Sequence, residues 1–223
     1  MKGGANPKPR NKQKKSNSIY FHIEDYITLP LAKKEIPVSF LEVIHSRKSD
    51  RHFNKPKLKD ISNLLWYSAK AISVAINSEG TILSHRASPS AGAIHPVDIF
   101  ISMPAELETR SLCYYDPFTH KLGKIKTNQK VLSSFLNLIN SNINIENATL
   151  IWFAIDRVRT ESKYKNPDSL LWKDTGALIM LFQLVATALK LKSCPVGTLG
   201  TPYFSKLFQN NNNIMSGGGI LFG

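Results

Sequence analysis

The sequence predicts an α+β domain, with helices and strands layered on one core. Three stretches carry that prediction. "ATLIWFAID", Ala148–Asp156, is an apolar run rich in β-branched and aromatic residues, the pattern of a central buried strand. "PDSLLWKDTGALIMLFQLVATALKL" reads as one long helix, apolar nearly all round, suited to the domain centre or a subunit interface. "RASPSAGAIHP", Arg86–Pro96, is a stiff loop of small residues that leads straight into "VDIFIS", a strand at Val97–Ser102. Strand and helix signals are mixed along the chain, as layered α+β domains require.

The remaining elements follow in order. The first nineteen residues hold six Lys or Arg and no acid, which accounts for +6 of the chain's +13. Residues 1–20 are therefore expected to be a basic disordered tail, or else an arm for an anionic partner. Residues 21–223 are expected to form a single domain. "PVSFLEVIHSRKS" has helical spacing with Phe40, Val43 and Ile44 on one side. "KLKDISNLLWYSAKAI" is a second helix with Ile61, Leu64, Leu65 and Ser68 facing inward. "AINSEGTILSH" reads as a loop or hairpin around Gly80, and "LCYYD" as a short strand closed by the turn "DPFTHKLG". "NQKVLSSFLNLINSN" is a helix, and Asp168 or Ser169 would cap the long one near Pro167. "SCPVGTLG" reads as a loop, "NNNN" at 210–213 as a polar turn, and "GGGILFG" as a closing short strand.

Composition excludes several classes. The 42% hydrophobic and 20% charged content is that of an ordinary globular chain. The apolar run Thr175–Leu189 has fifteen residues and contains Gln183. A membrane span needs roughly twenty, so no membrane role is expected. Cys113 and Cys194 are far apart and form neither a disulfide framework nor a zinc spacing, which suits a reducing, cytoplasmic setting. No metal constellation, nucleophile elbow or P-loop is present. No aromatic residues interleave with the charges of the tail, so nucleic acid is not the expected partner.

Two polar clusters could carry chemistry. "SRKSDR", Ser46–Arg51, places three cations and two hydroxyls where a helix ends. It suits a phosphate, and it equally suits a solvated basic helix end. "ESKYKNPD" sets Lys163 beside Tyr164 in what reads as a polar loop after the central strand, and a pair of that kind is usually plain surface.

In order and spacing these pieces resemble the nitroreductase-like flavoproteins of the SagB type, which oxidise azolines in thiazole- and oxazole-containing peptides. The matching stretches include "SRKSDRHF", "ISNLLWYSAKAI", "SHRASPSAGAIHPVDIFIS", "CYYDPFTHKLGKI", the long helix through "SCPVG", and "GGGILFG". The resemblance implies a central antiparallel-rich sheet flanked by helices and an intertwined homodimer with FMN at its interface. By this match Arg47, Lys48, Ser49 and Arg51 hold the FMN phosphate and pyrimidine edge. Pro89, Ser90, Ala91 and Gly92 form the loop that the other subunit lays along the flavin, with His95 at the site's edge. Pro195, Val196 and Gly197 pack on the ring face. Lys163 and Tyr164 match the pair used in azoline dehydrogenation, Lys163 as base and Tyr164 as its partner. No Lys or Arg follows Lys206, so phosphate binding is expected to rest on Arg47 and Arg51. The implied substrate is an azoline-bearing peptide, with a cyclodehydratase as possible partner. Two alternatives remain: an NAD(P)H-dependent reductase of nitro compounds, quinones or enones, and a non-catalytic or nucleic-acid-binding subunit that uses the basic tail.

Overall fold

The computed structural model describes residues 5–14, 21–32, 36–105, 109–209 and 211–223. Its centre is a seven-stranded sheet. Naming strands in chain order, these are β2 (Ile23–Thr28), β5 (Val97–Ser102), β6 (Cys113–Asp116), β7 (Lys121–Ile125), β8 (Thr149–Asp156), β10 (Ser193–Val196) and β11 (Ile214–Phe222). Their order across the sheet is β10-β11-β8-β5-β6-β7-β2, and every neighbouring pair is antiparallel. Two short antiparallel ribbons stand beside it: β1 (Lys8–Pro9) with β9 (Tyr164–Lys165), and β3 (Ser73–Ile76) with β4 (Ile82–His85).

Strand β8 shows why its sequence is continuously apolar. Every residue from Thr149 to Asp156 is buried, because the sheet is covered on both faces. Leu150, Trp152 and Ala154 pack with Leu132 and Phe135 of α3 (Gln129–Asn140) and Phe204 of α6 (Tyr203–Leu207). The alternate residues Ile151, Phe153 and Ile155 pack with Leu64 and Leu65 of α2 (Leu58–Ala69) and Phe182 of α5 (Asp168–Ala188). The period-2 alternation of a strand thus divides one apolar run between two cores. Truncating a side chain such as Phe182 to alanine would cost about 3–5 kcal/mol.

Several expectations hold and several are corrected. The inner stripe of α2 is buried as expected, with Ile61, Leu64, Leu65 and Ser68 each at most 2% exposed. The hairpin around Gly80 and the strand at 97–102 are present. "SCPV" is strand β10 rather than loop, because pairing with β11 outweighs its Pro and Cys. The stretch read as a turn after Asp116 contains β7, and β2 carries no alternation strong enough to announce it; both gain their order from cross-strand pairing. The closing strand begins earlier than expected, at Ile214, and shifts register between Ser216 and Gly219. A Cβ on Gly219 would come within 2.5 Å of the Trp152 ring, so the backbone there is pressed onto the core.

Helix α1 (Phe40–Ser46) buries Val43 but leaves Phe40 at 68% and Ile44 at 44% exposure. Helix α5 is not enclosed all round: Leu171, Leu178, Phe182 and Ala186 face the core, whereas Trp172 and Met180 are exposed. Among the described residues it is the one helix long and apolar enough to cross a membrane, and a packed core helix satisfies the same criteria. Pro167 takes its N-cap position without a side-chain cap, and Asp168 instead pairs with Arg157.

Within the expected tail, residues 5–14 make backbone contacts with the rest of the chain. Lys8 and Pro9 pair with Lys165 and Tyr164, the Arg10 N–H donates to the Lys163 carbonyl (2.8 Å), and the Lys14 N–H donates to the Ser162 carbonyl (2.8 Å). Backbone pairing orders this segment despite its charge, since a strand edge needs no apolar side chains to bind another strand. The rest of the expected tail, residues 1–4 and 15–20, lies outside the described residues.

Candidate active site

The loop before β5 is held by α5. Ser90 Oγ donates to Asp174 Oδ2 (2.7 Å), and the Ala91 N–H donates to the same carboxylate (3.2 Å). The His95 N–H donates back to Ser90 Oγ (2.9 Å), so one hydroxyl ties both ends of the loop to Asp174. Burial raises the Asp174 pKa, against the hydrogen bonds from Ser90 and Ala91 that lower it. Between these anchors Ala91–Ala93 make one turn of 3-10 helix in which Gly92 has φ +69°. Glycine takes that left-handed conformation without strain.

His95, expected at the edge of the cofactor site, is buried at 7% exposure. Its Nε2 bonds to the Ser84 carbonyl (2.9 Å), clamping the loop to β4. Burial, then the nearby Arg86 charge, pulls its pKa down to about 4, so the ring is neutral at pH 7. Beneath the loop, Arg159 makes a bidentate pair with Asp98 (2.9 and 2.7 Å) and reaches Asp156 at 3.0 Å. Burial by itself would lower the Arg159 pKa, but the two carboxylates raise it, so the guanidinium stays charged. This pairing joins the start of β5, the end of β8 and helix α4 (Arg157–Lys163).

Lys163 and Tyr164 follow at once, at the end of α4 and the start of β9. Both are half-buried. They meet the loop: a Cβ built on Gly92 would lie 2.7 Å from Lys163 Nζ and 3.1 Å from the Tyr164 hydroxyl. The pair is therefore packed against the small-residue loop, which sequence order alone does not show.

The second group lies along β10. The Asp50 N–H donates to the Ser193 carbonyl (2.9 Å), fixing the segment with Arg47, Lys48, Ser49 and Arg51 beside the strand that carries Pro195 and Val196. Lys48 stands 4.0 Å from Asp50. Among the described residues neither Arg47 nor Arg51 is in an ion pair. Nothing lies within 4 Å of a Cβ on Gly197, so that backbone faces open space. Consecutive residues of α5 link the two groups. Asp174 holds the loop, while Thr175 packs on Gly217, where a Cβ would come within 2.8 Å of it. Next along, a Cβ on Gly218 would lie 3.8 Å from the Val196 carbonyl.

Sequence reading missed Asp174, Arg159, Asp98 and Asp156. The available signal for Asp174 was an acid within an apolar helix, and for Arg159 a cation directly after the central strand. Neither reveals its partner before the chain folds. Among the described residues no cluster of His, Cys, Asp and Glu is suited to a metal, and both cysteines are buried and free. A cavity of about 1030 Å³ is bordered by His95, Asp98, Tyr114, Arg159 and Lys12–Lys14.

The residues present fit a flavin phosphate and ring. Arg47 and Arg51 are cations without a protein counter-charge, and Gly197 exposes bare backbone that a planar ring could approach.

Comparisons with known proteins agree with this architecture. The family model described as "Nitroreductase family" matches residues 44–223. No curated protein sequence matches the chain. A candidate nitroreductase from Ralstonia eutropha JMP134 is 18% identical with TM-score 0.68, and the match covers 98% of both chains. A chain of the E. coli microcin synthetase McbBCD complex, with truncated pro-MccB17 bound, is 17% identical with TM-score 0.57; the match covers 93% of this chain and 77% of that one. A candidate nitroreductase from Desulfovibrio desulfuricans, solved in complex with FMN, is 15% identical with TM-score 0.50, covering 82% and 84%. At these identities the likeness to solved structures is one of fold. The family match spans most of the sequence, and the chain belongs to the nitroreductase family of flavin-dependent oxidoreductases.

Proposed function

We propose that this protein is an FMN-dependent azoline dehydrogenase, converting thiazolines or oxazolines to thiazoles or oxazoles in a ribosomally made peptide. The observation that carries the reading is the packing of Lys163 and Tyr164 against Gly92. A basic amine and a phenol stand together on a stiff loop of small residues, as a base and an orienting group beside a flat heterocycle require. The fold likeness to a chain of the microcin synthetase complex, itself solved with a peptide bound, supports a peptide substrate.

Aromatising an azoline removes one hydride and one proton. When bound, FMN supplies the hydride acceptor, and dioxygen is the two-electron acceptor that renews it. The proton goes to Lys163 Nζ, and the Tyr164 hydroxyl positions the ring. Arg47, Lys48, Ser49 and Arg51 hold the phosphate and pyrimidine edge, and Pro195, Val196 and Gly197 back the ring face. Pro89, Ser90, Ala91 and Gly92 form its second wall in a homodimer, with His95 bracing that wall. The exposed Phe40, Leu41 and Ile44 of α1, with Trp172 and Met180 of the adjoining α5, offer an apolar face for such a dimer. A cytoplasmic cyclodehydratase would supply the azolines.

The test is mass spectrometry of a thiazoline-bearing peptide incubated with the flavin-loaded protein. Loss of two hydrogens per ring, abolished in Lys163→Ala with flavin retained, is the expected result. Turnover of nitro compounds with NAD(P)H, with an unchanged azoline peptide, would replace the reading with a small-molecule reductase.

A further inference from the structure

The segment that carries Lys163 and Tyr164 already has a peptide lying along it. Residues 8–10 run antiparallel to residues 163–165, and residues 11–14 bend on past Ser162. Lys8 and Pro9 are in register with Lys165 and Tyr164, and the Arg10 and Lys14 N–H groups donate to the Lys163 and Ser162 carbonyls. Arg10 Nε donates to the Glu161 carbonyl (2.7 Å). Gln13 is clamped between two elements: its Nε2 donates to Thr81 Oγ1 (2.7 Å) and Ser162 Oγ (3.2 Å), and its Oε1 accepts from Asn77 Nδ2 (3.2 Å).

We propose that the outer edge of residues 162–165 is a docking lane for the azoline-bearing peptide, and that residues 6–14 are an intrachain stand-in which the substrate displaces. The proposal rests on the peptide-modifying reading above and names where its peptide binds.

Three observations carry it. The first is the mode of attachment. Strand addition to an edge binds through the backbone and accepts many side chains, as recognition of an extended peptide requires.

The second is weakness. Lys8, Pro9, Asn11, Lys12 and Lys14 are exposed, and only Pro7, Arg10 and Gln13 are half-buried. Polar contacts, several of them part-buried, hold the segment with little apolar burial, and a segment that buries few apolar groups opens more readily than the core. A competing chain can replace those backbone bonds one for one.

The third is register. The Arg10 N–H donates inward, so position 9, one residue before it, is a place that gives no N–H to its partner. Proline fills it, directly opposite Tyr164. A proline is a five-membered ring that includes the backbone nitrogen and lacks an N–H. An azoline also places a five-membered ring in the main chain and removes an N–H. The lane thus tolerates a backbone heterocycle at the position in register with Tyr164 and demands a donor one residue later.

The test uses a fluorescein-labelled synthetic peptide of residues 5–14 and three forms of the full chain. Arg10→Pro with Lys14→Pro removes both inward donors and frees the lane. Arg10→Ala with Lys14→Ala keeps them and controls for lost charge. Lys8→Cys with Lys165→Cys, oxidised, locks the segment in place, since partners across an antiparallel pair lie within disulfide reach. Unfolding midpoints show that each form is folded. Anisotropy should show the labelled peptide binding the freed form at least about tenfold more tightly than the alanine form, the worth of two net hydrogen bonds. It should not bind the locked form. Equal affinity for all three overturns the proposal. A synthetic thiazoline peptide should displace the label from the freed form. If that peptide is oxidised but displaces nothing, the docking lane is wrong and the reaction stands. If it displaces the label but is never oxidised, the lane stands and the reaction falls.

Discussion

Gly92 and Lys163 touch across 71 residues of sequence: a Cβ on Gly92 would lie 2.7 Å from the lysine amine. Replacing Gly92 by alanine should therefore move the amine more than it harms the fold. The clashing atom is the tip of a flexible side chain, and the positive φ costs roughly 1–2 kcal/mol. Azoline oxidation should fall about a hundredfold, the scale of displacing a reacting group by an ångström. Single-turnover kinetics beside a thermal melt separates the two effects, and equal loss of stability and rate would contradict the assignment.

Asp174 is the acceptor for Ser90 and for the Ala91 N–H. Asp174→Ala leaves two part-buried donors unpaired, at a cost of about 1–3 kcal/mol. The expected result is a melting temperature lower by several degrees and faster proteolysis between residues 87 and 95. Asp174→Asn, which keeps one carbonyl acceptor, should recover part of the loss.

Arg47 and Arg51 form no ion pair among the described residues, and no cation follows Lys206. The double variant Arg47→Ala with Arg51→Ala should release flavin, raising its dissociation constant by ten- to a hundredfold, about 1.5–3 kcal/mol for a charged hydrogen bond. Fluorescence titration with FMN measures this directly. An unchanged constant would move the phosphate site elsewhere.

His95 and His120 are both buried, at 7% and 4% exposure, and burial lowers both pKa values to about 4. Each is neutral in the fold and protonates near 6.5 when unfolded, so below pH 6.5 the unfolded state binds more protons. Stability is full above that pH and is lost as pH falls toward 4, by up to about 3 kcal/mol for each histidine. His120 also bonds Ser62 Oγ and the Tyr115 hydroxyl, both at 2.9 Å. Denaturation at pH 7.5 and 5 should show the loss, and His95→Gln should flatten it.

The sequence alone determined the elements whose pattern is local. β8 is announced by an unbroken apolar run from Leu150 to Ile155, β5 by its apolar and β-branched residues around Asp98, α2 and α3 by helical spacing, and the hairpin at Gly80 by its turn residues. The family resemblance supplied the candidates of the site. Strands β2, β7 and β10 were not legible, because their order comes from hydrogen bonds to partners distant in sequence. Which candidates stand together was decided only by the tertiary structure. α5 runs past both the loop and the glycine run, so one of its turns, Asp174 and Thr175, brings Ser90 and Gly217 into contact with it. The basic segment at the N-terminus shows the same division. Its charge predicted a solvated tail, but a free strand edge beside Lys163 offered backbone partners that composition cannot reveal.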